Sequence, residues 1–185
     1  MKKFFLIAGF FIIVAGALAF FYGFKKTKSY SPESTVLYAD GPLQVSVFYN
    51  RPFKKGRLIF GGLVPYGKTW RTGANEATVF QTNQDLIINN KLLPAGEYSL
   101  WTVPNEQSWS VVFNATIPNW GIDVMNNGEA ARDTLTDIIV IDVTVVQTQK
   151  EFEQFTISVE KADDMLELVL AWDKILVAVP LTVKE

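Results

Sequence analysis

Phe152–Lys161 (FEQFTISVEK) and Met165–Trp172 (MLELVLAW), joined only by Ala162-Asp163-Asp164, decide the fold. A parallel pair needs a crossover of a dozen residues or more, so a link this short forces the two runs to pair antiparallel. Asp173-Lys174 separates Met165–Trp172 from Lys174–Val183 by an equally short link, and Asp137–Gln147 precedes the group. The C-terminal third therefore reads as consecutive strands joined by tight turns.

Upstream, the same signals recur. Leu43, Val45, Val47 and Tyr49 alternate with Gln44, Ser46, Phe48 and Asn50, the period of a half-buried strand, and Pro52 ends the run. Ala77–Thr82 and Asp85–Asn89 are short strands, and Asn89-Asn90 suits the positive φ angles of a hairpin turn. Pro94-Ala95-Gly96 turns the chain into Glu97–Val103, and Pro104–Ser108 links that run to Trp109–Asn114 at hairpin length. About nine such segments predict an all-β fold, an antiparallel β-sandwich, with a barrel as the nearest alternative. Beyond the N-terminus the only helix expected is a short one between Asn119 and Arg132, which Asn126-Asn127-Gly128 opposes.

The chain has 185 residues, 49% of them hydrophobic, and the apolar excess is concentrated at the start: no residue from Phe4 to Phe24 is charged. As a helix that run would extend roughly 30 Å, the thickness of a hydrocarbon core. The expected organisation is a transmembrane signal-anchor with basic flanks over 1–28, a linker over 29–38, and one sandwich domain over 39–185. Ala17-Leu18-Ala19 offers a competing reading, cleavage near Ala19 and secretion, but Phe20, Phe21, Tyr22 and Phe24 continue the apolar run past that point. Lysines stand on both sides, so charge alone nearly ties the orientation, and the short N-terminus favours a single pass through an inner membrane with the domain in the periplasm. Removing the five flanking lysines from 17 basic residues leaves 12 against 19 acidic ones, about -7 for the remainder. A body of that sign repels phosphate backbones, so no nucleic-acid partner is expected.

Cysteine and histidine are both absent. That excludes disulfides, thiolate nucleophiles, serine–histidine triads and the usual zinc ligand sets, and leaves no cofactor or metal site to expect. Any catalysis would run on carboxylates, lysine, tyrosine, arginine or hydroxyls. The most distinctive stretch, Pro65 to Glu76, packs polar, aromatic and glycine residues between strands, where sites on rigid sheets are usually carried. The candidate ligand-binding residues are Tyr66, Lys68, Trp70, Arg71, Asn75 and Glu76. In a functional reading, Lys68 and Arg71 fix an anionic or hydroxylated ligand, Trp70 stacks on it, and Glu76 is an acceptor or acid–base group. In a structural reading, Arg71 pairs with Glu76, Trp70 fills the edge of the core, and the glycines supply turns.

Gly62 to Thr69 satisfies the phosphate-loop pattern G-x-x-x-x-G-K-[ST] letter by letter. Its surroundings oppose that reading, because the motif needs a following helix and Trp70-Arg71-Thr72-Gly73 starts one poorly. Trp101, Trp109 and Trp120 are a minor candidate for a sugar-stacking platform.

One longer string resembles a known family. Arg51-Pro52, Lys55-Gly56-Arg57, Ile59-Phe60-Gly61, Leu63 to Lys68, Trp70 to Thr78, Leu93 to Gly96, Tyr98-Ser99-Leu100, Trp109 and Asn119-Trp120-Gly121 together are similar to Domain of Unknown Function 2911, a group of bacterial, typically exported proteins. The similar region runs from about Tyr38 to the C-terminus and departs from the pattern between Ile122 and Arg132. The resemblance implies export and a β domain, and no activity comes with it.

The function expected is a non-catalytic binding or interaction module of the cell envelope, joined to the membrane through Phe4 to Phe24, with an unknown envelope protein or small ligand as partner. The alternative is an envelope hydrolase acting on glycans or esters through two carboxylates roughly 5–10 Å apart, Glu76 with Glu97 or Asp40. A structural component without a cleft is the third reading.

Overall fold

The computed structural model describes the backbone at residues 2–162 and 165–184 and, within the first helix, the side chains at 10–19, 22, 23 and 26–30. Helix α1 (Lys2–Tyr30) leads into β1 (Glu33–Asp40), β2 (Leu43–Asn50), β3 (Val79–Thr82), β4 (Leu86–Ile88), β5 (Lys91–Leu93), β6 (Gly96–Pro104) and β7 (Ser108–Asn114). A small ribbon of β8 (Ile122–Asp123) and β9 (Glu129–Ala130) follows, then β10 (Asp137–Thr144), β11 (Val146–Ala162) and β12 (Met165–Val183). Six strands form one sheet in the order β1-β2-β3-β6-β7-β10, and four form another in the order β11-β12-β4-β5. Among the described residues, every pairing between strands of these two sheets is antiparallel. The protein is thus mostly β, in antiparallel sheets that enclose one apolar core, as the alternation predicts.

The local chemistry explains several elements directly. In β2, Leu43, Val45, Val47 and Tyr49 are buried while Gln44 is exposed, as the period of two requires. Asn89 and Asn90 take φ of 48° and 61°, and the hairpin they close pairs Ile88 with Lys91. Pro104 and Trp109 face each other across the β6–β7 hairpin.

Three expectations need correction. Residues 29–38, read as a linker, are instead the end of α1 and most of β1, whose side chains alternate between exposed and half-buried against β2. No helix lies between Asn119 and Arg132. The chain there makes the β8–β9 ribbon, whose turn uses Asn127 and Gly128 at positive φ, and only a single 3-10 turn, Thr134–Thr136, follows. Asp173-Lys174 is not a turn either. β12 runs through it, and Asp173, at φ 55°, marks an irregularity where Phe152 pairs with Asp173 before the register resumes at Ile175. Lys54 reaches this point and binds the Asp173 carboxylate at 2.6 Å and that of Glu151 at 2.9 Å. The Asp163-Asp164 connection lies outside the described residues.

α1 is one continuous helix of 29 residues. Phe10, Phe11, Ile12, Ile13, Leu18 and Tyr22 are all largely exposed on it. Among the described residues no helix is long and apolar enough to cross a membrane, and the expected span from Phe4 to Phe24 falls partly on side chains outside that description.

The core joins Val47, Phe80, Leu100, Val111 and Phe113 of the larger sheet to Leu86, Phe155, Ile157, Leu168, Leu170 and Val179 of the smaller. β11 is an edge strand, and its backbone is met by the other sheet. The buried Tyr49 hydroxyl accepts from the Ile157 amide at 2.9 Å and donates to the Ile157 carbonyl at 3.3 Å. Immediately after β2 the chain runs along the same edge: Phe155 donates to Pro52 O, Lys54 donates to Glu153 O, and Arg51 donates to Phe155 O and the Thr156 hydroxyl. Tyr49→Phe keeps the ring and strands two buried backbone groups. It is expected to lower the unfolding free energy by about 1–3 kcal/mol, read from a denaturant midpoint, with the fold unchanged by circular dichroism.

Candidate functional site

Between β2 and β3 the chain makes a long excursion in which nearly every turn has an identifiable cause. Lys55 and Gly56 at positive φ reverse it after the β11 edge. Leu58 to Val64 then forms a compact knot, with Val64 N–H bonded to Ile59 O at 2.9 Å and Gly61 N–H to Val64 O at 2.9 Å, and it drives Ile59, Phe60 and Val64 into the core. The chain next takes the place beside β6 that the short β3 leaves open. Gly67 donates to Pro104 O, Trp70 and Thr102 exchange backbone bonds at 2.7 and 3.0 Å, and Leu100 donates to Thr78 O.

This pairing fixes Trp70, whose ring stacks on Trp172 at 5.8 Å and an interplanar angle of 19° and meets Phe155 edge-on at 4.9 Å. Its indole N–H donates to Gly73 O at 3.1 Å. Thr72 is fully buried with φ 53°, a conformation that a β-branched residue adopts only under constraint. The constraints are its hydroxyl contact to Thr102 at 3.1 Å and the bond its carbonyl accepts from the Thr78 hydroxyl at 2.8 Å. Asn75, at φ 56°, accepts a backbone bond from Gly121 at 3.0 Å, so the Asn119 to Gly121 segment docks onto the same loop. A methyl on Gly121 would lie 2.5 Å from Cδ of Arg71, and only glycine lets the two approach so closely.

These segments enclose a cleft of about 950 Å³. One wall is the loop from Leu63 to Asn75, another the β8–β9 ribbon, a third Lys55 and Arg57, and the end of α1 contributes Thr27, Tyr30 and Ser31. Trp172 also lines it. The ionisable lining is Lys55, Arg57, Lys68 and Arg71 against Glu129 alone, a basic hollow in an acidic body.

Two of its lining residues carry buried donors without a partner, Nη1 of Arg71 and Nε1 of Trp172; among the described residues no other buried side-chain nitrogen or oxygen is left so. Burial pushes the Arg71 guanidinium below its ordinary pKa, and the nearby negative charge of Glu76 partly opposes this. The expected Arg71–Glu76 pair does not form. Glu76 accepts from Asn50 Nδ2 at 3.0 Å and binds Lys28 at 2.6 Å, while Arg71 turns towards Gly121. Lys28 also pairs with Glu33, and Lys55 Nζ sits 4.5 Å from the Tyr30 ring centre, so the foot of α1 is latched to the cleft rim.

Of the six candidates, Lys68, Trp70, Arg71 and Asn75 line this cleft; Tyr66 packs against Gly61, and Glu76 faces Lys28. The contributions of Lys55, Arg57, Trp172 and the β8–β9 ribbon escaped sequence reasoning, because strand pairing and not chain proximity brings them there. The carboxylate pairs do not assemble. Glu33 faces Asn50 in the β1–β2 register and Asp40 stands seven residues further on, about 24 Å away at strand rise, where it binds Lys161. Glu97 faces Gln81, five residues along the chain from Glu76. The phosphate-loop match has no following helix, and its Val64 is buried in the core. Trp101 and Trp109 are buried on opposite faces of the sheet and form no shared platform. Among the described residues no group of three or more carboxylates is placed to hold a metal ion.

Burial raises the Glu76 carboxyl, but Lys28, its own backbone amide and Asn50 outweigh this, and the group lies below its ordinary value of 4.5. A depressed carboxylate stabilises the fold above its unfolded-state pKa and loses that contribution as pH falls through the folded value. The stability difference between the native chain and Glu76→Gln is therefore expected to be constant from about pH 6 to 8 and to shrink below about pH 4.5, measured by denaturant titration at each pH.

No curated protein and no solved structure matches this chain. One family model does match, described as Protein of unknown function (DUF2911), over residues 31–181. That span takes in β1 to β11, β12 as far as Leu181, the Leu63–Asn75 loop and the docked Gly121, and the chain belongs to this family.

Proposed function

We propose that the protein is a non-catalytic binding module of the cell envelope that holds an anionic ligand in the cleft bounded by the Leu63–Asn75 loop, the β8–β9 ribbon and the foot of α1. The observation that supports it most is the pair of buried donors on Arg71 and Trp172. A buried donor without an acceptor costs about 1–3 kcal/mol, and both lie along one hollow whose other charges are mainly positive. Donors without acceptors call for a ligand that supplies oxygen acceptors and negative charge. The stacked indoles of Trp70 and Trp172 supply an apolar wall for the rest of such a molecule. The hydrolase reading draws no support from the acids, which are separated or already paired.

The test is thermal denaturation of the full chain in detergent with inorganic phosphate, citrate or maltose as probes. Phosphate or citrate is expected to raise Tm, maltose is not, and Arg71→Gln is expected to abolish the shift. A ligand at 100 times its Kd stabilises by about 2.7 kcal/mol, well within reach of the measurement. No shift from either anion, or an undiminished shift in Arg71→Gln, would sink the reading.

The second part of the proposal is that α1 anchors this domain as a single pass in the inner membrane, with the sheets in the periplasm. The uncharged run from Phe4 to Phe24 supports it, as does the exposure of Phe10, Phe11, Ile12, Ile13 and Leu18, apolar residues left largely uncovered by the domain. Membranes washed at alkaline pH are expected to retain the protein, and protease added to spheroplasts is expected to degrade the β domain. Release by the wash would point instead to cleavage near Ala19, and protection from protease would reverse the orientation.

A further inference from the structure

We infer that the anion held by the cleft is the phosphate of a net-negative membrane phospholipid, taken at the headgroup layer in which the foot of α1 stands. This rests on both parts of the reading above, the anion-binding cleft and the anchoring helix. The step beyond them comes from where the cleft lies along the helix. The uncharged run ends at Phe24, and the helix continues unbroken to Tyr30. Thr27 and Tyr30, which line the cleft, therefore stand about 4.5 and 9 Å beyond the end of the apolar run at helix rise. The polar layer on each face of a bilayer is about 5–7 Å deep. The wall that α1 contributes to the cleft thus begins at the depth of lipid phosphates and ends at the water boundary.

The composition of the hollow fits the same ligand. Arg71 and Trp172, which line it, each carry a buried donor without an acceptor, and Lys68, also in the lining, is exposed. Arg57 is partly committed, its Nε donating to Lys54 O at 3.0 Å, and Lys55 lies over Tyr30, so neither is free to turn far from the rim. Against Glu129 these four cations leave an excess of positive charge, the condition for retaining a phosphodiester at the surface of a domain that otherwise repels it. The hollow of about 950 Å³ greatly exceeds one phosphate group, and Leu63, Val64, Trp70 and Ile122 give it apolar surface for the glycerol and first methylenes of a lipid. The latch of Lys28 to Glu76 and Glu33 holds the domain close enough to the helix foot for the cleft to stay at that depth.

The experiment is native mass spectrometry of the full chain, released from neutral detergent and titrated separately with phosphatidylglycerol, phosphatidylcholine and soluble glycerol 3-phosphate. One phosphatidylglycerol is expected to be retained in preference to phosphatidylcholine and to glycerol 3-phosphate. Arg71→Gln is expected to weaken that binding about tenfold, the effect of losing one charged hydrogen bond. Because Arg71 is partly buried, Lys68→Gln serves as the second variant. Lys68 is exposed, so its substitution leaves the fold intact by circular dichroism and is expected to weaken phosphatidylglycerol binding severalfold. Glycerol 3-phosphate bound as tightly as phosphatidylglycerol would overturn the lipid assignment and leave the anion-binding reading standing. Equal retention of phosphatidylcholine and phosphatidylglycerol would overturn it on charge. Binding of phosphatidylglycerol and glycerol 3-phosphate that neither variant weakens would overturn the inference and the cleft reading together.

Discussion

An edge strand in a closed sandwich must find partners for its outward backbone, and β11 finds them in the other sheet. Tyr49 serves both the amide and the carbonyl of Ile157, and the segment from Arg51 to Lys55 serves residues 153 to 156. An open edge of this length would invite pairing with another chain. Closing it in this way has a topological consequence. The chain leaving β2 is committed to the β11 edge, so it must cross back over the end of the sandwich to reach β3. The Lys55–Glu76 excursion is that return path.

The aromatic cluster makes the return path rigid. Trp70, coming from the excursion, enters between Trp172 of β12 and Phe155 of β11, while Phe60 sits 4.8 Å from Trp109 of β7. Four segments distant in sequence therefore share one apolar contact zone, and the residues next to Trp70 inherit its fixed position. Arg71 follows it directly and is carried into the cleft lining. The strained Thr72 keeps it there: a φ of 53° costs on the order of 1–3 kcal/mol at such a residue, and its hydroxyl contact with Thr102 and the bond its carbonyl accepts from the Thr78 hydroxyl offset that cost only in this arrangement.

This division explains what the sequence makes legible. Period-two alternation identifies β2, the Asn-Asn turn identifies the β4–β5 hairpin, and short links identify antiparallel pairing, because each depends on interactions within a few residues. The Ala162–Met165 link also announces the longest pairing in the protein. The continuation of β12 through Asp173 is not legible, since Asp-Lys looks like a turn until Lys54, from the other end of the chain, is seen to bind Asp173. β1 is missed for a similar reason: its side chains are mostly exposed, and it is a strand by virtue of its pairing with β2. Within the site, the loop from Pro65 to Glu76 is recognisable by its unusual residue mixture, yet the partner of Glu76 lies on α1, and Trp172, whose indole N–H has no partner, reaches the cleft from β12, about a hundred residues along the chain from Trp70.

The electrostatic contrast follows from the same geometry. A domain with an excess of acidic residues keeps its strands soluble and repels anions at long range, but the field inside a hollow is set by the charges that line it. Strand pairing gathers Lys55, Arg57, Lys68 and Arg71 from two turns of one excursion, whereas Glu76, the acid closest to them in sequence, is drawn out of the hollow by Asn50 and Lys28. Had Glu76 paired with Arg71, the strongest buried cation would be neutralised and the cleft would have little to offer an anion. Sequestering Glu76 on the helix foot therefore has two effects at once: it ties α1 to the domain and it leaves the Arg71 guanidinium without an internal acceptor. The contact that fixes the domain relative to its helix is thus also the one that keeps the cleft basic.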